Sequence, residues 1–294
     1  VNRRLLIQLC SLLALNLSAA TAVFADGSVD WKTQSVQSKD GTRVVYQVMG
    51  KGSPLMILHG GWSSAEAYKP LGKLLASDYQ VVLVERRNYG VSGTGPRPHS
   101  FLRDGEDVHA VIDALGRDVY LFGHSGGGLA ALHAVLVGTD GIKKLAVYEP
   151  PITAGGPSAG DVLQRYEGAL KDKNYDAAVK IGLRDLIGYP DAVTQQLASI
   201  YKTRLQAANW NGAVYDVEGL RAMRPDANAW AALRMPALLI VGERSNEHPL
   251  LDSSRALKAV IRGSTLVTLA GQEHSACALA PEMVASELRK FFGP

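Results

Sequence analysis

Two cysteines in a chain of 294 residues are too few for a disulfide framework. Cys10 and Cys277 stand near opposite ends, and a chain that is 47% apolar buries enough core to fold without a disulfide. No stripe of basic residues interleaves with aromatics, and the formal net charge is only +3, so electrostatics gives no case for nucleic acid as a partner. Histidine, cysteine and carboxylate residues nowhere fall at metal-ligand spacing, so no metal is expected. Internal repeats and low-complexity tracts are absent. Past residue 25 no apolar run approaches the ~20 residues of a membrane span. What remains is a globular chain, one decorated domain or two smaller ones.

The longest apolar stretch lies at the N-terminus. Arg3-Arg4, the mostly apolar Leu5–Leu17 and small residues running to Ala25 form the three parts of a secretory signal. Val23-Phe24-Ala25 and Ala20-Thr21-Ala22 both offer cleavage endings, and the first is preferred because polar sequence starts at Asp26. A signal over residues 1–25 implies a bacterial protein with a periplasmic or secreted destination. The competing reading is an uncleaved anchor, which Gln8, Ser11 and Asn16 oppose by interrupting the stretch. Cys10 also lacks the small preceding residue of a lipidated cysteine.

After a polar lead, alternating stretches at Gln34–Ser38 and Val44–Val48 flank the turn residues Lys39-Asp40-Gly41, which predicts an antiparallel hairpin. The rhythm then changes. Short apolar runs at Leu55–Leu58, Val81–Val84, Val119–Phe122, Leu145–Tyr148, Ala237–Val241 and Thr265–Leu269 are spaced widely enough to hold helices between them. Buried strands alternating with helices predict an α/β fold with a parallel sheet covered on both faces. From 152 to 234 the strand rhythm stops and the pattern is helical, as in Asp161–Leu170 and Ala192–Leu205, with breaks at Gly188–Pro190 and Asn209–Gly212. The expected organisation is a core of 26–151 and 235–294, with 152–234 as a helical lid over the C-terminal edge of the sheet. A helix from about Pro281 closes the chain.

Gly123-His124-Ser125-Gly126-Gly127 lies between the run Val119–Phe122 and a small-residue stretch at helical spacing. A G-x-S-x-G turn puts its serine on a sharp strand-to-helix bend, and the glycines on either side remove side chains that would clash there. The hydroxyl then stands above the sheet edge at the positive end of a helix. His59-Gly60-Gly61-Trp62 follows the Leu55–Leu58 run, and Gly271-Gln272-Glu273-His274 follows the last one. In these motifs, from about Thr33 to Phe292, the chain resembles the α/β-hydrolase superfamily, in its serine-nucleophile branch. That resemblance implies a mostly parallel eight-stranded sheet with helices on both faces and an inserted lid.

The resemblance also implies roles. Ser125 would be the nucleophile, with the backbone N–H groups of Gly61 and Gly126 as oxyanion donors worth about 3 kcal/mol each in the transition state. His274 would be the base that takes the Ser125 proton and returns it to the leaving group. Among the other histidines, His59 is expected to orient the oxyanion loop and His124 to be the variable residue of the elbow. The family pattern puts an aspartate shortly after the strand at Ala237–Val241, but here the sequence reads Gly242-Glu243-Arg244-Ser245. Two carboxylates could substitute. Glu149 ends the strand after the elbow helix and precedes Pro150-Pro151, whereas Glu247 sits on a loop, so Glu149 is preferred as the better positioned. The stretch Glu85–Gly93 is expected to be structural, with Arg86 and Arg87 bracing it through ion pairs. Trp62 and Tyr89 are expected to line the substrate pocket.

A serine nucleophile argues against the dehalogenases and epoxide hydrolases of the superfamily, which use aspartate there. The expected enzyme is a cofactor-independent serine hydrolase cleaving an ester, lactone, thioester or amide bond through an acyl-enzyme, most simply a carboxylesterase. A carbon–carbon bond hydrolase would use the same residues, and haloperoxidase-like activity would be a side reaction of that site. From another class, a ligand-binding protein on a disabled scaffold is opposed by the joint presence of Ser125, its glycines and His274.

Overall fold

The two alternating stretches form the expected hairpin, with β1 (Lys32–Gln37) antiparallel to β2 (Arg43–Met49). The structure, a computed structural model, describes residues 30–152, 160–186, 189–207, 211–224, 226–245 and 249–293. The signal expected at 1–25 and the alternative acid Glu247 lie outside the described residues. The apolar runs become β3 (Ser53–Leu58), β4 (Tyr79–Glu85), β5 (Val119–His124), β6 (Ile142–Tyr148), β7 (Ala237–Gly242) and β8 (Thr265–Leu269). The result is an eight-stranded sheet in the order β1-β2-β4-β3-β5-β6-β7-β8, antiparallel at β1-β2 and β2-β4 and parallel in its other pairs. The fold class is the one the sequence predicts.

In chain order the helices are α1 (Lys69–Leu75), α2 (Phe101–Leu115), α3 (Gly126–Val137), α4 (Gly160–Lys171), α5 (Tyr175–Lys180), α6 (Asp191–Ala207), α7 (Asn211–Ala222), α8 (Pro249–Val260), α9 (Ala276–Leu279) and α10 (Pro281–Phe292). Strand alternation sorts the core into two layers. Met56, Leu58, Val82 and Val84 pack with α2, α3 and α8, whereas Leu55, Ile57, Val81 and Leu83 pack with α1 and α10. The helices α4 to α7 leave the sheet between β6 and β7. They hold a separate core, in which Leu163, Tyr166, Val179, Leu183 and Val217 close around Trp62.

Arg87 ties the hairpin to the rest. It is 1% exposed, and its Nε and Nη2 donate to Asp107 of α2 at 2.7 and 2.6 Å while Nη1 donates to Asp40 of the β1-β2 turn at 2.7 Å. Removing one partner of such a buried pair typically costs about 3–5 kcal/mol, because the other charge stays buried.

The elbow glycines are required by close approach. A Cβ on Gly127 would lie 2.2 Å from the Leu58 carbonyl oxygen, and one on Gly123 would lie 2.2 Å from the Gly127 carbonyl oxygen. Helix α3 therefore starts in direct contact with the backbone at the end of β3. Gly127→Ala should lower unfolding stability by about 3 kcal/mol or more, since backbone would have to move. Gly168→Ala in α4, where a Cβ would meet nothing within 4 Å, should be neutral or stabilising by about 1 kcal/mol. Urea denaturation of both variants checks the contrast, and equal stabilities would contradict it.

Candidate active site

Strand β5 ends in a strained residue. Ser125 has φ 54° and ψ −122°, a conformation that costs on the order of 1–3 kcal/mol and persists only when its surroundings impose it. Here the Ser125 N–H donates to the Tyr148 carbonyl at 2.9 Å, and the Ser125 carbonyl accepts from Leu129 N–H at 3.1 Å. The serine is thus fixed to β6 on one side and to α3 on the other. Gly126 begins α3, so its N–H belongs to the first turn, where backbone donors lack helical partners.

The loop after β3 folds over this bend. A Cβ on Gly60 would lie 3.1 Å from the Ser125 Cβ, and one on Gly126 would lie 3.3 Å from the Gly61 nitrogen. Gly61 and Gly126 are therefore brought together beside Ser125. The loop is shaped by His59, whose Nδ1 bonds the Gly60 carbonyl at 2.8 Å while Nε2 accepts from the Arg86 N–H at 3.1 Å. The next residue, Trp62, takes a left-handed φ of 56°.

Glu149 meets His274. Its Oε2 is 2.7 Å from His274 Nδ1, its Oε1 accepts from the Gly242 N–H at 2.7 Å, and the Ser245 hydroxyl bonds the same carboxylate. The carboxylate is fully buried, which alone would raise its pKa. The hydrogen bond and charge of His274, with the donors on Gly242 and Ser245, outweigh burial and hold it below the ordinary carboxylate range. Ser245 occupies the position where the family pattern has its aspartate, and here it bonds the Glu149 carboxylate. With Nδ1 engaged, Nε2 is the His274 nitrogen available to Ser125.

His124 does more than fill the variable position of the elbow. The Gly60 N–H donates to the Tyr68 hydroxyl at 3.1 Å, that hydroxyl donates to His124 Nδ1 at 2.5 Å, and Nε2–H donates to the His274 carbonyl at 2.9 Å. The chain of donors fixes one neutral tautomer, and burial together with the nearby His274 keeps the imidazole pKa well below its usual value. The loop after β3, the elbow and the loop after β8 are so linked through one buried path. No sequence spacing announces a pair 56 residues apart.

Ser125, His274, Gly61, Gly126 and Trp62 line a cavity of about 330 Å³ beneath the helices that follow β6. Trp62 is anchored by Nε1–H donating to the Tyr166 hydroxyl. Tyr89 corrects the sequence expectation: it is 2% exposed and stands behind the wall, where its hydroxyl donates at 2.6 Å to Asp216, which does line the cavity. Arg86 is bound to the same residue, donating from Nη2 to Asp216 Oδ1 at 2.7 Å and from Nη1 to Oδ2 at 3.2 Å. Sequence reasoning missed Asp216. Its signal was an acid among Ala213, Val217 and Leu220, on the face of α7 that helical spacing makes apolar.

Comparison with known proteins agrees with this architecture. Residues 55–287 match the model of the alpha/beta hydrolase family, and the chain belongs to that family. It is a hydrolase by that membership. It is 24% identical over 269 residues to a non-heme haloperoxidase of Rhodococcus erythropolis, covering 87% of this chain and 98% of that protein. A solved alpha/beta hydrolase of Sphaerobacter thermophilus superposes with a TM-score of 0.75 at 29% identity, covering 88% of this chain and all of the other. An esterase of Exiguobacterium antarcticum shares the fold at a TM-score of 0.74 and 19% identity, over 89% of this chain and 99% of its own.

Replacing Glu149 by Gln keeps the shape but removes the carboxylate that would orient the imidazole and stabilise the imidazolium of the transition state, so kcat should fall roughly 10³–10⁴-fold with little change in KM. The same pair makes stability depend on pH. As the folded Glu149 carboxyl titrates below the ordinary value near 4.3, its stabilisation is complete above that value and is lost as pH falls through the folded pKa. Steady-state kinetics and denaturation between pH 3 and 7 check both, and a Glu149→Gln enzyme with wild-type kcat would contradict the assignment.

Proposed function

We propose that this protein is a serine hydrolase that cleaves an ester-type bond, a carboxylic ester, lactone or thioester, of a small molecule. The observation that carries the reading is the 2.7 Å contact between His274 Nδ1 and the fully buried Glu149, with Ser125 and His274 on the wall of one cavity. Ser125 Oγ attacks the carbonyl carbon while His274 Nε2 takes its proton, and Glu149 holds the imidazolium that forms. The tetrahedral oxyanion lies between the N–H groups of Gly61 and Gly126, where preorganised donors contribute about 3 kcal/mol each. Collapse expels the alcohol or thiol, which takes the proton from His274 and leaves an acyl group on Ser125. Water, deprotonated by the same imidazole, then attacks the acyl-enzyme and releases the acid.

The size of the cavity, about 330 Å³, favours a compact acyl group over a long lipid chain. Export through a signal at residues 1–25 belongs to the same proposal and rests on the sequence. A fluorophosphonate probe should label Ser125, and short aryl esters should turn over while β-diketones do not. Ser125→Ala should abolish labelling and lower ester turnover roughly 10³-fold or more. Labelling that survives in Ser125→Ala overturns the nucleophile, and turnover of diketones in place of esters would move the activity to carbon–carbon bond hydrolysis.

A further inference from the structure

The Asp216 carboxylate stands on the cavity wall beside Gly61 and Gly126. An ideal Cβ on Gly61 would lie 3.2 Å from Asp216 Oδ2 and one on Gly126 3.4 Å from it, so this oxygen borders the two glycines assigned to the oxyanion. Among the described residues lining the cavity, Asp216 is the only one with a carboxylate, and none has an ammonium or guanidinium group. The neighbouring lid wall is apolar, with Leu197, Ile200, Val217 and Leu220. An acid in such company needs a reason to be there.

Its position is fixed from behind. Arg86 grips both oxygens, Tyr89 donates to Oδ2, and Arg86 is itself held by its Nε donating to Asp104 at 3.1 Å. A carboxylate offers about four lone-pair sites. Arg86 and Tyr89 fill three of them, two on Oδ2 and one on Oδ1, which leaves one acceptor site, on Oδ1. The Arg86 charge, shared with Asp104, offsets part of that of Asp216. A lid tether alone would need neither the cavity wall nor the vacant acceptor site.

We propose that Asp216 is a specificity-determining residue, accepting a hydrogen bond from a hydroxyl or amide N–H that the substrate carries one or two carbons from its scissile carbonyl. The proposal rests on the ester-hydrolase reading and names its substrate class: acyl compounds with a donor close to the carbonyl, and not those with an anionic group there. A hydrogen bond to a fixed charge favours such a substrate by roughly ten- to a hundredfold.

The test compares aryl esters of butanoate, 2-hydroxybutanoate, 3-hydroxybutanoate and succinate, each kcat/KM divided by the rate of hydroxide-catalysed hydrolysis to remove intrinsic reactivity. Wild-type enzyme should prefer at least one hydroxy ester over butanoate by tenfold or more and should disfavour the succinate ester. In Asp216→Asn, which keeps the volume, both ratios should approach one. The wild-type ratios need no variant, so a variant that fails to fold does not protect the idea. Equal wild-type rates on butanoate and both hydroxy esters would overturn the role of Asp216 while leaving ester hydrolysis standing. A preference that persists unchanged in Asp216→Asn would overturn it as well. Absence of turnover on every ester, with no fluorophosphonate labelling, would overturn the ester-hydrolase reading and this inference with it.

Discussion

A carboxylate with no exposed surface survives in a protein only if donors replace the water it has lost, and Glu149 has them from three directions. Gly242 N–H comes from the end of β7, the Ser245 hydroxyl from the turn that follows, and His274 Nδ1 from the loop after β8. The carboxylate thereby joins the ends of successive strands. Its own backbone, at φ 45°, is turned by the chain leaving β6 toward Pro150 and Pro151. Because one of its donors is the catalytic candidate, whatever orients Glu149 also orients His274.

The same region holds most of the left-handed backbone found in non-glycine residues among those described. Trp62, Asn88, Ser125 and Glu149 all take positive φ, and they lie in the loops after β3, β4, β5 and β6. Such residues need a rigid frame to hold them. The frame is the mostly parallel sheet with its two packed layers, reinforced where Tyr68 and His124 link the loop after β3 to the loop after β8. A second brace enters from α7 through Asp216, which meets Arg86 and Tyr89 next to Gly61.

Legibility in the sequence followed the range of the interactions. Strands of the sheet could be read because each is a local apolar run, and the elbow because its glycines and serine sit within five residues. The hairpin carried its own turn residues. Glu149 was readable as a candidate from its place at a strand end, but the function of Ser245 was not, since a serine in place of an aspartate looks like a loss until the carboxylate it serves is in view. Tyr89 was misplaced because sequence shows an aromatic near the site and cannot show which way a loop turns it. Asp216 and the Tyr68–His124 pair were invisible as partners, being contacts made only when distant segments pack.

The geometry of the site depends on the hydrogen bond between Glu149 and His274, and proton NMR in water observes it directly. A strongly downfield resonance from the His274 Nδ1–H should appear in the wild-type enzyme, remain in Glu247→Gln and vanish in Glu149→Gln. A resonance that persists in Glu149→Gln and disappears in Glu247→Gln would assign the acid to the other carboxylate and contradict the account.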